Sequence, residues 1–491
     1  MSKPPDKNMP QDIKRHAARS GVYVVLGQAY KLLLRFGSFA FLGRLLTPGD
    51  FGQVAMVTAI LGFFDIFKDG GLSTAAVQRK DLGQQQATML FWLQLALGLS
   101  IMLVVMGLSP LVGWFYHAPG LIVITQVLAL RFFVGSLIGQ HQAQMQRALR
   151  FVALMWIEIF AMTTSVLVGI TLAYNGGGIW ALVAIPLTES LCLGLGVWLL
   201  HPWRPSAPTR TLGKEVKEML SFGGYLSLYS LTNYFARHLD NILLGRFWGA
   251  QSLGHYSRAY ALLLLPIGQV TAPITRIAIP TLSRLQHDPQ RYRSFYLDAL
   301  RGVAYTTIPT VFALALLSYE VIGLLLGPQW HEAGTIFRIL ALSTWLQGVG
   351  STVGWIYTSL DQTKRMARFG FFSSPILILS FLVGLPWGAQ GVAWTYSITI
   401  LLLIYPIYAY AFAKSPIKVS DAFFVIAPVT GLSLIMLGVM WGVRATLTSN
   451  SHFLIILFTS LAGAFTFSIL ALLIPYTRTD VIRFVRILRR P

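Results

Sequence analysis

GVYVVLGQAYKLLLRFGSFAFLGRLLTPGDFGQVAMVTAILGF, residues 21–63, and GGYLSLYSLTNYFARHLDNILLGRFWGAQSLGHYSRAYALLLL, residues 223–265, align without a gap at an offset of 202. Ten of the 43 positions are identical. Five of these are glycines or arginines outside the Leu/Ala background: Gly21 with Gly223, Arg35 with Arg237, Gly43 with Gly245, Arg44 with Arg246 and Gly52 with Gly254. Each copy carries two long apolar runs around its Gly-Arg dipeptide, which reads as a pair of membrane-spanning helices. Both copies enter the membrane from the same side, so the repeat is parallel and its symmetry axis runs along the membrane normal. A carrier built this way is expected to place its site between the lobes.

Outward from the repeat the same pattern fills the chain. Of 491 residues, 55% are hydrophobic and 11% charged, with a mean hydropathy of +0.63, against roughly 25% charged residues in soluble proteins. A soluble globule is excluded. The chain reads as an all-α polytopic membrane protein of about 14 transmembrane helices. Two pseudo-symmetric six-helix lobes, 20–200 and 219–413, are followed by two further helices within 421–475. A polar cytoplasmic segment, 1–19, precedes them, a linker with Pro202, Pro205 and Pro208 joins the lobes over 201–218, and a basic tail occupies 476–491. In the tail, Arg483, Arg486 and Arg490 fall on one helical face and Val481, Val485 and Leu488 on another, the pattern of an interfacial helix. No short apolar run precedes the first long one, which predicts no cleavable signal peptide. The lone Cys192 lies in an apolar stretch and excludes disulfide frameworks and Cys-based zinc or redox sites.

Charge sets the expected orientation. With the N-terminus inside, the cytoplasmic connections and both termini hold 26 of the 38 Lys and Arg, the outer loops three (Arg44, Arg246 and Arg444) and the spans nine. This bias places both termini in the cytoplasm. It also explains the net charge of +20 as basic loops facing anionic lipid, so nucleic acid is not an expected partner. The longest outer loop, Ser109 to Gly120, is too short for an extramembrane catalytic domain.

Ionisable groups inside the spans are the informative ones, since each costs roughly 2.5–3.5 kcal/mol at mid-bilayer unless it is paired or hydrated. Lys31, Arg131 and Glu189 fall near the midplane, Arg35, Arg237 and Asp240 in the outer third, and Asp65, Lys68 and Asp69 in the inner part. Lys31 and Arg35 share one helical face and repel unless something negative sits between them. They either pair with Asp65 or Asp69 or form a cationic patch for an anionic head group. Arg237 has Asp240 three residues on as a local partner, and Arg131 and Glu189 could pair across spans four and six. Glu158 is expected to be hydrated. Arg258, Arg276, Arg301, Glu320 and Arg338 lie near span ends and are expected to snorkel. The candidate substrate-binding residues are therefore Lys31, Arg35, Lys68, Arg131 and Arg237. Asp65, Asp240 and Glu189 are the candidate counter-ion or pairing groups, and no catalytic, cofactor or metal site is expected.

Span eight carries Pro266, Pro273 and Pro280 at intervals of seven. Repeated loss of a main-chain donor predicts a bent or broken helix there, either a hinge or static curvature. Trp114, Trp248, Trp330 and Trp387 read as interfacial anchors. The sequence contains no Walker A motif, zinc-binding His pair, glycine-rich dinucleotide fingerprint or glycosylation sequon.

Four segments together resemble a known family: GRLLTPGDFG at 43–52, GLSTAAVQR at 71–79, NYFARHLDN at 233–241 and PTLSRLQ at 280–286. They are similar to the polysaccharide-exporter branch, the Wzx-type lipopolysaccharide and colanic-acid flippases, of the multidrug/oligosaccharidyl-lipid/polysaccharide exporter superfamily. The resemblance runs from about Ser20 to about Ala413 and does not specify the sugar. It implies a two-lobed carrier in the bacterial inner membrane that moves an undecaprenyl-pyrophosphate-linked glycan outward for lipopolysaccharide, capsule or exopolysaccharide synthesis. A polysaccharide polymerase and other assembly proteins are its implied partners. Cationic residues line the inter-lobe cavity in the family, a role that falls here on Lys31, Arg35 and Arg237. Competing readings are a drug exporter, which should have an acidic cavity, a glycan polymerase, which should have a large outer loop, and a scaffold, which leaves the buried charge unexplained.

Overall fold

The computed structural model describes residues 11–68, 83–207, 214–447, 451–475 and 477–480, with the side chains of 11–25, 214–233, 235 and 236 not included. Asp69, the 71–79 motif and the amphipathic pattern of the tail lie outside the described residues. The chain divides into two compact units, Met1–Tyr234 and Phe235–Pro491.

The first unit contains α1 (Gln11–Leu45), α2 (Pro48–Asp65), α3 (Gln84–Phe115), α4 (Leu121–Arg147), α5 (Phe151–Tyr174), α6 (Ile179–Leu200) and the start of α7 (Lys214–Leu285). Local chemistry sets the α1/α2 boundary. Pro48 occupies the first turn of α2, where its missing N–H is no loss. Thr47 Oγ1 accepts from the Asp50 amide at 3.2 Å, and Asp50 accepts from the Thr47 amide at 2.9 Å, a reciprocal capping box. Small residues let neighbouring helices approach closely. A Cβ at Gly98 of α3 would meet the Phe132 carbonyl of α4 at 2.7 Å, and one at Gly169 of α5 would meet Ile185 of α6 at 2.6 Å.

Between α6 and α7 the start of the expected linker is not a free tether. The Gln84 side chain donates to the Arg204 carbonyl at 3.0 Å, Trp92 Nε1 to the Ser206 carbonyl at 2.9 Å, and the Ser206 amide to Thr88 Oγ1 at 3.3 Å. Arg204 folds back to donate to the Trp198 carbonyl at 2.7 Å, while Trp198 stacks on the buried His141 ring at 4.3 Å. Residues 201–207 are thus strapped across α3, and α7 begins at Lys214, inside the expected linker range.

The second unit contains the rest of α7, then α8 (Pro289–Leu316), α9 (Ser318–Leu325), α10 (His331–Gly350), α11 (Val353–Ser359), α12 (Thr363–Gly384), α13 (Gly388–Phe412), α14 (Val419–Thr446) and α15 (His452–Leu473). Its core gathers Tyr292, Tyr296, Trp355 and Tyr408, whose burial requires a partner for each hydroxyl. Tyr292 pairs with Ser359 Oγ at 2.7 Å, Tyr296 with Thr352 Oγ1 at 2.8 Å, and Tyr408 donates to the Val349 carbonyl at 2.8 Å.

Dividing α7 where its backbone leaves helical geometry gives fourteen long helices among the described residues, and no strand occurs among them. That division is at Gly249, with φ 78°, and not at the prolines. The helix runs unbroken through Pro266, Pro273 and Pro280 to Leu285, which corrects the expectation of a break there. Gly249 stands one repeat offset from Thr47, so the two copies interrupt their helices at equivalent positions. Trp248 beside it donates from Nε1 to the Leu385 carbonyl at 2.7 Å and lies against Gly388, where a Cβ would meet the ring at 3.3 Å. Arg301 and Glu320, expected to snorkel, are ion-paired instead. Arg301 meets Asp298 at 2.8 Å and Asp480 at 2.9 Å, and Glu320 meets Arg444 at 2.7 Å.

Candidate functional site

In the first unit the α2 end, α3, α4 and α6 enclose a cavity of about 470 Å³, lined by Asp65, Lys68, Gln94, Arg131, Gln142 and Glu189 among others. Its volume is within the range of small-molecule sites. The α4 wall follows from helical spacing: Arg131, Gly135, Gly139 and Gln142 recur every three or four residues and share one face. The two glycines keep that face open. Ser136 and Ser190 add hydroxyls, and Pro186 interrupts the α6 hydrogen-bond ladder beside Glu189.

Four of the eight candidate residues meet in this cavity. Arg131 Nη2 donates to Asp65 Oδ2, and Lys68 Nζ lies 3.3 Å from the other carboxylate oxygen, Oδ1. Asp65 therefore bridges two cations. Arg131 and Asp65 side chains are 21% and 32% exposed, so the pair is hydrated from the cavity rather than sealed in apolar packing. Among the described residues the buried Arg131 Nε–H has no hydrogen-bond partner. The pairing of Arg131 with Glu189 weighed from sequence is not made. Glu189 lies on the cavity wall within the fields of Arg35, Lys31 and Glu158.

Lys31 and Arg35 do not line this cavity. Lys31 donates from Nζ to Glu158 Oε2 at 2.6 Å, with side-chain exposures of 16% and 40%. Its partner is thus Glu158 of α5, not Asp65, and Glu158, partly exposed as expected, is ion-paired as well. Arg35 is exposed and acts on Glu189 through space. Tyr234 is a further neighbour that sequence did not single out. Its hydroxyl donates to the Ala59 carbonyl of α2 and packs against Gly62, where no side chain would fit, within the fields of Asp65 and Arg131.

Arg237 and Asp240 belong to the second unit. Asp240 is 3% exposed. It accepts from the Tyr256 hydroxyl at 2.9 Å and from the Asn241 amide at 2.8 Å. Beyond it, Tyr260 and Tyr396 share a 3.0 Å hydrogen bond and Gln347 donates to Tyr396 at 3.2 Å. Arg237 is exposed and close enough to act electrostatically on Tyr260 and Tyr396.

Sequence and structure comparisons bear on what such a chain is. A family model described as polysaccharide biosynthesis protein matches residues 41–335. The chain is 26% identical over 373 residues to the teichuronic acid biosynthesis protein TuaB of Bacillus subtilis, covering 74% of this chain and 76% of that protein. It is 26% identical over 349 residues to the lipopolysaccharide biosynthesis protein WzxC of Escherichia coli, covering 70% of each. Among solved structures, the lipid II flippase MurJ in an inward closed conformation superimposes with a TM-score of 0.76 at 16% identity. The superposition covers 94% of this chain and all of MurJ, a likeness of fold.

Proposed function

The chain belongs to the polysaccharide biosynthesis protein family, and on that premise we propose that it is a flippase for a lipid-linked oligosaccharide. The observation that carries the reading is the hydrated charge cluster of Asp65, Lys68 and Arg131 within apolar helices. Ionisable groups at such depth are costly and are retained for a polar ligand or pathway. The ligand is an undecaprenyl-pyrophosphate-linked glycan. Its pyrophosphate cannot cross hydrocarbon unaided, whereas its polyprenyl tail stays in lipid.

Arg131 and Lys68 receive the anionic head group, and Gln94, Gln142, Ser136 and Ser190 offer hydrogen bonds to the adjoining sugar. Lys31 and Arg35 extend positive potential along α1, and Arg237 repeats the Arg35 position in the second unit. With both termini cytoplasmic, outward movement is favoured by an inside-negative potential at about 2.3 kcal/mol per charge per 100 mV. The carrier makes and breaks no covalent bond. A proton or sodium ion would reset the carrier, and of the candidate counter-ion groups Asp65 and Asp240, Asp65 is occupied by cations, so that ion is assigned to Asp240 among its tyrosines.

Purified protein in vesicles loaded with the lipid-linked glycan tests the function. Glycan should become accessible to an external lectin faster than in protein-free vesicles, and equal rates would contradict the reading. Orientation is tested by cysteines at Gly177 and Gln390, which should label from outside the cell. The Arg35→Ala, Arg237→Ala double variant should transport poorly at unchanged protein level, and full transport would show that neither arginine contributes to transport.

A further inference from the structure

Among the described residues, charge lining the first unit's cavity is balanced: Lys68 and Arg131 face Asp65 and Glu189. A multiply charged anion entering it gains little net attraction while both carboxylates stay in place. Asp65 is the one engaged with the cations, one oxygen toward Arg131 and the other toward Lys68 at 3.3 Å. Two oxygens spanning a guanidinium and an ammonium is also how a phosphate group would sit there, because carboxylate and phosphate match the same donors.

We propose that Asp65 is an internal competitor for the head group: its carboxylate holds Arg131 and Lys68 in the empty carrier and is exchanged for phosphate oxygens when ligand enters. This rests on the reading of the cavity as the head-group site. Three features on the page make the exchange feasible. Asp65 is the last residue of α2, and Ile66, Phe67 and Lys68 continue as a turn, where a side chain can swing without disturbing a helix. Arg131 engages the carboxylate through Nη2 alone and its side chain is 21% exposed, so the rest of the guanidinium can begin to bind the incoming anion before releasing the carboxylate. The pair is partly exposed to the cavity, so neither partner is left dry during the exchange. Asp65 is then a positioning residue that keeps the cations oriented in the empty state. By competing with the ligand it also lets the head group leave, since a cavity with uncompensated cations would hold a pyrophosphate too tightly to turn over.

The test uses purified full-length protein and inorganic pyrophosphate as the probe, with calorimetric affinity and vesicle transport measured on the same preparations. Asp65→Asn should bind pyrophosphate about ten-fold tighter than wild type, equivalent to about 1.4 kcal/mol, and transport the lipid-linked glycan more slowly. The opposite signs of these two effects are what a merely structural residue would not give. Arg131→Gln should lose pyrophosphate binding, and so should the Asp65→Asn, Arg131→Gln double variant, which leaves no uncompensated guanidinium. Asp65→Glu retains the competing charge and should bind as wild type does, so tighter binding by this variant would overturn the proposal even if Asp65→Asn failed to fold. Equal or weaker binding by folded Asp65→Asn, with Arg131→Gln still defective, would overturn the competitor role and leave the site standing. Equal binding by wild type, Asp65→Asn and Arg131→Gln would instead remove the cavity as the head-group site.

Discussion

Arg131 on α4 donates to Asp65 at the end of α2, and this one bond settles how both helices present charge to the first unit's cavity. It leaves Glu189 on the same wall free to respond to Arg35 and Lys31. Among the described residues, the unit's membrane-depth charges therefore form two ion-paired groups, Asp65 with Arg131 and Lys68, and Lys31 with Glu158, with Glu189 adjoining both and Arg35 acting on Glu189.

The Lys31–Glu158 pair ties α1 to α5 at 2.6 Å, in a place where Met155 also fills the space above Gly27. A double-mutant cycle with Lys31→Met and Glu158→Gln should give a coupling of about 1 kcal/mol in thermal or denaturant stability. The value is modest because Glu158 is 40% exposed and solvent screens the pair. Additive effects would show that the two side chains act separately.

Helix interruption in α7 is assigned to Gly249 and not to the prolines. At φ 78° a non-glycine residue is strained, so Gly249→Ala should destabilise by about 1 kcal/mol. Pro273→Ala restores a main-chain donor in a helix that is already continuous, so stability and transport should stay near wild type. Slower transport by Pro273→Ala at unchanged stability would return the hinge to the prolines.

The strap over 201–207 should loosen on acidification. The Trp203 amide donates to His201 Nδ1 at 3.2 Å, a bond that an imidazolium cannot accept. Burial first, then the Arg150 and Arg204 charges, hold the His201 pKa below its ordinary value of 6.5. The docked state therefore favours neutral His201. Its contribution is fully present above the ordinary value and is lost as pH falls through the lowered one. Hydrogen exchange at Trp203 to Ser206, corrected for the intrinsic pH dependence, should accelerate as the pH falls below the ordinary histidine value in wild type and lose this dependence in His201→Asn. Unchanged protection between neutral and acidic pH would contradict the assignment.

The sequence carried the architecture because periodic features survive without knowledge of rotation. Apolar runs, loop charges and the Gly-Arg repeat locate helices, and the repeat even relates Thr47 to Gly249. Partners were harder to read. Whether Arg131 meets Glu189 or Asp65 depends on the rotation of α4 about its axis and on which helix it packs against, and neither is encoded in local spacing. The same reason hid Glu158, which is partly exposed as expected, as the partner of Lys31. Pro266, Pro273 and Pro280 allowed a bend or a break, and the break is not made because proline removes a donor without dictating one when the surrounding packing holds the helix. Nothing in His201 to Ala207 announced a docked strap, since its hydrogen bonds run largely through main-chain groups that any sequence possesses.

The most direct test of the account is the rate at which vesicle-reconstituted protein exposes lipid-linked glycan to an external lectin when Arg131 is changed. Arg131→Gln, at equal reconstituted protein and with the fold verified, should slow exposure by about ten-fold or more, about 1.4 kcal/mol of lost interaction. Arg131→Lys, which keeps the charge but not the planar fork, should fall between. A wild-type rate in the Arg131→Gln protein would contradict the claim that the first unit's cavity carries the head group.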